Sequence, residues 1–199
     1  MDENQMDQNE TRENGKNWVW MAVLLVVGIF LAISLMQEQP GGDYGDFLDA
    51  LAMRESSNNY AAVNQFNYLG RYQLGSMALK DAGFQDENGL WTERANSYGI
   101  FSQQDFLQSP EGQDAAVAAY HGKLCRYISV YDLDEYLGDV YCDVEVTASG
   151  LLAACHLVGV GSMKEALATG QKVYDGNRVP ASEYLELFAG YDISEIWVD

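Results

Sequence analysis

Residues 18–36, WVWMAVLLVVGIFLAISLM, carry no charged side chain anywhere along their length. Wound as a helix they would rise roughly 28 Å, about the hydrocarbon thickness of a bilayer. A helix in a soluble core keeps a polar side over that many turns, and this one has none. The segment is therefore expected to span a membrane. A cleaved signal peptide is the nearest rival. Such a leader has an apolar region of about 7–15 residues and a small-x-small cleavage site. This run is longer, its end (ISLMQEQPGG) offers no good site, and no cysteine stands there to take a lipid. An uncleaved anchor is expected.

The flanks orient it. Arg12 and Lys16 precede the run, and no Lys or Arg follows until Arg54. The positive-inside rule then leaves residues 1–17 as a cytoplasmic tail, polar enough to be disordered, and puts residues 37–199 outside. Trp18 and Trp20 would sit at the inner interface. The expectation is a single-pass membrane protein with an extracytoplasmic domain.

The chain holds 30 acidic residues against 11 Lys and Arg, a formal charge of −19. That argues against nucleic acid as a partner, because non-specific binding needs a basic surface to displace counterions. No Gly-rich phosphate loop is present. The two histidines, His121 and His156, fall in no zinc-ligand spacing with the cysteines, so neither metal nor cofactor is expected. The three cysteines lie on the side of the span where disulfides survive. An odd count leaves at least one unpaired or paired with another chain. Cys125–Cys142 is the favoured pairing, because Cys155 falls in an apolar helical run where a thiol is simply buried.

After a Pro/Gly linker over residues 37–45, a helix is expected from an Asp46 N-cap. Phe47, Leu48, Leu51 and Ala52 form its apolar face, and Glu55 projects near the centre of that face. Ser56-Ser57-Asn58-Asn59 stops it. Desolvation at such a place disfavours a carboxylate, which suits a general acid. A frayed end with Glu55 paired to Arg54 or another base would place the same residues there. Residues 60–75 are expected as a short hairpin or an irregular loop. A short helix follows in Gly75–Gly83, and a loop with an Asn88-Gly89 turn comes next. Further helices are expected from Ser109 with Pro110 in the first turn, from a Thr147 cap to Gly159, and from Pro180. The fold class is thus mainly α, an α+β arrangement with a small β-hairpin, built on residues 46–199 and preceded by one transmembrane helix.

Three short stretches, taken in order, resemble the lytic transglycosylases of the lysozyme-like superfamily. They are Glu55-Ser56, Gly70-Arg71-Tyr72-Gln73, and Ala153-Ala154-Cys155-His156-Leu157-Val158-Gly159. In that family a Glu-Ser pair ends a helix, and a Gly-x-x-Gln turn follows about fifteen residues later. A small-residue helix then closes the cleft. The resemblance covers roughly residues 46–190. It departs from the family where Val158 replaces a frequent second glycine, and the segment Gly138–Val146 has no counterpart.

The resemblance implies that Glu55 is the catalytic acid/base for cleaving the β-1,4 bond between N-acetylmuramic acid and N-acetylglucosamine in peptidoglycan glycan strands. Gln73 would lie across the cleft. Tyr60 and Tyr72 would stack on sugar rings or fill core space. Ser56 and Asn64 would bind substrate amides or orient the carboxyl, and His156 would line the cleft or cap a helix end. Most glycosidases use two carboxylates. Asp81, Asp86 and Glu87 are the nearest candidates for a second, with nothing to choose between them. A transglycosylase manages with one, and the same residues would serve a hydrolysing muramidase. An anchored domain of this kind suits local wall opening by a secretion, conjugation or phage-infection assembly. The competing reading is a membrane protein that keeps the fold without the chemistry and binds glycan or a protein partner.

Overall fold

Asp43 caps the first helix. In the computed structural model, which describes residues 41–197, its side chain accepts from the Asp46 amide at 3.1 Å. The Asp46 side chain in turn accepts from the Asp43 amide. This reciprocal capping box satisfies two amides that the first helical turn would leave unpaired. It starts helix α1 (Tyr44–Ser56) two residues before the Asp46 cap read from sequence, so the end of the expected linker is helical. The expected tail and membrane span, residues 1–17 and 18–36, lie outside the described residues. No single helix among the described residues is long and apolar enough to cross a membrane.

The described residues are mainly helical, with one small two-stranded antiparallel sheet. After α1 come α2 (Ser76–Asp81), α3 (Glu93–Asn96), α4 (Gln103–Leu107) and the long α5 (Pro110–Val130). A 3-10 turn and strands β1 (Val140–Tyr141) and β2 (Val144–Glu145) lead to α6 (Ala148–Val158), α7 (Val160–Thr169) and α8 (Ala181–Leu187). Two other caps read from sequence hold. Ser109 Oγ accepts from the Gly112 amide with Pro110 at the first helical position, and Thr147 Oγ1 accepts from the Gly150 amide.

Helix α6 is the centre of the core. Its residues from Ser149 to Cys155 are all buried. Gly150 lets α8 close onto it, since a Cβ there would sit 2.5 Å from the Leu185 carbonyl oxygen. Phe47, Leu51, Phe106, Val117, Ile128, Leu151 and Leu185 are each fully excluded from water and join α1, α4, α5, α6 and α8 in one core. Gly159, at φ 81°, ends α6 and turns the chain by 117° into α7. No sequence signal announced α7 as a separate helix.

One expectation is narrowed and two change. Of the hairpin and the irregular loop expected for residues 60–75, the structure has the loop, turn-rich and held by the isolated bridges Val63–Leu69 and Leu69–Leu74. The paired strands instead occupy the segment 140–145, where Val140 faces Glu145 and Tyr141 faces Val144. The stretch around Trp91, read as loop, contains α3. The expected Cys125–Cys142 bridge is absent, and all three cysteines are free thiols. Cys125 is turned into the core on α5, whereas Cys142 sits at φ 52° in the bend between β1 and β2. Burial pushes the Cys125 thiol up to about 12.

Candidate active site

Glu55 sits in the last turn of α1, half-buried. Its neighbour Arg54 turns away and pairs with Glu183 at 2.5 Å, so Glu55 is not the partner of Arg54. No base pairs with Glu55 among the described residues. Its carboxylate instead accepts a hydrogen bond from the Tyr184 hydroxyl, which lies 2.6 Å from Oε1. Burial first, and the Glu55 charge second, hold the Tyr184 hydroxyl far above its ordinary value. The phenol therefore remains the donor throughout the physiological range.

Glu55 opens onto a cleft of about 480 Å³, shared with Asn64, Gln73, His156, Tyr174 and Asp175. Phe66, Tyr68 and Tyr174 present their rings at its rim, each roughly half exposed. Such rings offer apolar faces to a flat ligand. A second hollow of about 480 Å³ shares Tyr68, Gln73 and His156 with the first and continues past Gly75 to Met77 and Tyr120. A third, of about 540 Å³, shares Met77 and Tyr120 and ends at Tyr127, Tyr131 and Lys164. The three hollows together suit an elongated ligand.

The expected site residues divide into two groups. Glu55, Asn64, Gln73 and His156 meet in the cleft. Ser56, Tyr60 and Tyr72 do not line it. Ser56 Oγ donates to the Arg71 carbonyl at 2.8 Å and accepts from the Asn59 amide, which ties the end of α1 to the 70–73 turn. Tyr72 is buried, only 1% exposed. Its hydroxyl donates to Asp114 at 2.8 Å and accepts from Arg71 at 2.8 Å. The Arg71 guanidinium lies 5.2 Å from the ring centre of Tyr60 and 5.1 Å from that of Tyr72, and it also pairs with Asp49. These groups form a polar pin behind the cleft wall.

The amide-rich run after Glu55 is spent mainly on its own backbone. Ser57 and Asn58 adopt left-handed φ values of 54° and 62°. Their amides return to the Met53 and Ala52 carbonyls and close α1. Asn58 Oδ1 accepts from Arg71, Asn59 Oδ1 from the Ala61 amide, and Asn64 Oδ1 from the Phe66 and Tyr68 amides. Side chains of Asn readily make such local bonds. Behind them Gln113, buried on α5, accepts from the Arg71 amide at 2.8 Å and donates to the Tyr60 and Phe106 carbonyls.

Gln113, Tyr184 and Asp175 carry no motif, and sequence reasoning missed them; Arg71 lies inside the Gly70–Gln73 motif but was given no role. Asp175 is a second carboxylate on the cleft that holds Glu55. It accepts from the Asn177 and Val179 amides at 2.9 and 2.7 Å. The three acids considered from sequence stand elsewhere. Asp81 accepts from Tyr127 at the far hollow. Asp86 organises the Asn88-Gly89 turn, and the Glu87 backbone accepts from Lys80.

No family model, curated protein or solved structure matches this chain. Among the described residues, no group of His, Cys, Asp and Glu converges to hold a metal ion.

Proposed function

We propose that this protein is a membrane-anchored peptidoglycan lytic transglycosylase with a lysozyme-like domain. The observation that carries the reading is the placement of Glu55. It is a half-buried carboxyl, unpaired with any base among the described residues, held by a tyrosine hydroxyl, and open to a long cleft with aromatic rims.

The chemistry follows from one carboxyl. Glu55, protonated, gives its proton to the glycosidic oxygen as the bond to carbon 1 of N-acetylmuramic acid breaks. The substrate's own 2-acetamido oxygen stabilises the cation that develops there, as in substrate-assisted glycosidases. Glu55, now a carboxylate, takes the proton of the sugar's 6-hydroxyl. The freed oxygen closes on carbon 1 and leaves an anhydro ring. Each proton lent is returned, and water is not consumed. The Tyr184 hydroxyl stabilises the carboxylate in the second half. Gln73 faces the N-acetylated chain, Asn64 shapes the cleft wall through its bonds to the Phe66 and Tyr68 amides, and Phe66, Tyr68 and Tyr174 receive sugar faces. The linked hollows suit a polymer better than a small molecule.

The apolar run at residues 18–36 would tether the domain at the outer face of the cytoplasmic membrane, where it meets the wall. An anchored domain of this size fits local opening of the wall for a larger envelope-spanning or virion assembly. Asp175 favours one alternative outcome, since a second carboxylate on the same cleft would allow water to be the acceptor.

Digestion of purified peptidoglycan by the full chain, followed by mass analysis of the released fragments, tests the reading. Anhydro ends are expected. Reducing ends would assign hydrolysis and a role to Asp175. No release of fragments would leave a glycan-binding protein without catalysis.

A further inference from the structure

Behind the cleft wall, three contacts join four groups that the chemistry above does not use. His156 Nε2 lies 3.1 Å from the Tyr72 carbonyl oxygen. His156 Nδ1 lies 3.0 Å from His121 Nε2, and His121 Nδ1 lies 2.9 Å from the Tyr44 hydroxyl.

The direction of this chain follows from valence. A carbonyl only accepts, so His156 Nε2 carries a hydrogen. In a neutral imidazole the other nitrogen is then a bare acceptor. His121 Nε2 must therefore carry a hydrogen to reach it, which leaves His121 Nδ1 to accept from the Tyr44 hydroxyl. Neutral rings satisfy all three contacts in this order alone. A charged His156 would reverse every bond behind it and turn the Tyr44 hydroxyl from donor to acceptor.

The surroundings favour neutrality. His121 is fully buried, with Tyr44 and Phe47 of α1, its neighbour Tyr120 and His156 of α6 around it. Cys125, Tyr72 and Glu195 are the titratable groups acting on Tyr44, and Glu55 is the charge acting on His156. Burial holds both imidazoles below their ordinary value, with Glu55 opposing it at His156.

We infer that His121 is a positioning residue: by donating from Nε2 to His156 Nδ1 it holds His156 in the tautomer that the Tyr72 carbonyl requires, and so pins that carbonyl beside Gln73. The pinned residue matters because the turn is tight. Gln73 stands at a left-handed φ of 49°, its side chain returns to the Gly70 carbonyl at 2.9 Å, and it lines the cleft next to His156. A carbonyl held at the preceding residue fixes the peptide that sets this φ. The tautomer lock stands on geometry alone. Its consequence for cleavage rests on the function proposed above.

The chain has only two histidines, so long-range nitrogen–proton NMR of the detergent-solubilised full chain, labelled at histidine with ¹⁵N, shows two imidazoles. Both are expected as the Nε2–H tautomer at pH 7.5. An Nδ1–H ring, or averaging between tautomers, would overturn the inference. His121→Gln preserves the chain, because its amide oxygen can accept from Tyr44 while its NH₂ donates to His156. His156 should then keep its single tautomer. His121→Leu should release it to a mixture. On purified wall material, His121→Gln should stay within a few-fold of wild type, whereas His121→Leu should lose about 10–100-fold, as misplacement of a cleft element does. A folded His121→Gln protein as impaired as the Leu variant would also overturn the inference. If the wild type cleaves nothing, the proposed function fails, and the tautomer spectra still decide this one.

Discussion

Tyr184 donates to Glu55 across 129 residues of sequence, at 2.6 Å, and so joins α8 to the last turn of α1. The contact depends on the close seat of α8 against α6 at Gly150. It puts a neutral, permanently protonated donor on the carboxyl proposed to move protons.

Tyr184→Phe should therefore keep the fold and lower cleavage. The ring would still pack on Phe188, whose centre lies 5.3 Å away. Only the hydroxyl is lost. Hydrogen bonds to charged groups contribute about 1.5–3 kcal/mol, so the rate on peptidoglycan should fall roughly 10–100-fold. A variant that melts like wild type and cleaves as fast would remove Tyr184 from the site.

Gly70→Ala should destabilise the whole loop. The position has φ 74°, and a Cβ there would stand 2.0 Å from Gln113 Oε1. That atom holds the Arg71 amide, so it cannot withdraw without loss. Left-handed strain alone costs about 1–3 kcal/mol, and each kcal/mol moves Tm by about 2–4 °C in a domain of this size. Thermal melting followed by circular dichroism measures it. An unchanged Tm would mean the Gln113 pin is not under constraint.

Stability should fall as pH drops below about 6.5, the ordinary histidine value. Burial depresses both His121 and His156 in the folded state. Between that ordinary value and the lower folded one, the unfolded chain binds more protons, so stability rises with pH across the interval and is level above it. Asp105 and Asp192, lowered by their serine and amide hydrogen bonds, act in a different window. Their contribution is present above about 3.8 and is lost as pH falls through their folded values. Urea unfolding at pH 7.5 and pH 5.5 isolates the histidines. His121→Gln should reduce the difference to the share of His156, and an unchanged pH slope in that variant would contradict a buried neutral His121.

A thiol reagent should label Cys142 first. It is half-buried in the β1–β2 bend, whereas Cys125 and Cys155 are buried, and burial holds both thiols high. Thiolates are the reactive form, so the two core thiols should react only on unfolding. A Cys125–Cys142 cross-linked peptide in unreduced protein would restore the pairing read from sequence.

The helices were legible because their ends are written in short-range chemistry. Ser109 before Pro110, and Thr147 before an apolar run, mark starts that need no tertiary contact. The Asp43-x-x-Asp46 pair carried the same signal in the text of the sequence and set the start of α1 two residues earlier than Asp46 alone suggested. Glu55 was legible for the same reason, since helical periodicity put it on the face of Phe47 and Leu51. Tyr184 and Asp175 were not, because one reaches Glu55 and the other the cleft from more than a hundred residues away. The amide-rich run misled in a specific way. An asparagine that will face a ligand and one that will close its own turn have the same local signature, and Asn58, Asn59 and Asn64 do the second. Strands of two residues are too short to show alternation, so the hairpin at 140–145 left no trace.

The central claim is that Glu55 moves the protons. The direct measurement is the rate at which the full-length Glu55→Gln protein releases soluble fragments from purified peptidoglycan, beside wild type and Asp175→Asn. Gln keeps the size and can still accept from Tyr184, but it cannot give a proton to the departing oxygen. General acid–base groups contribute about 10²–10⁴-fold, so release should fall by at least about a hundredfold at unchanged or raised Tm, while Asp175→Asn retains much of the wild-type rate. A Glu55→Gln protein that digests the wall at near wild-type rate would contradict the account.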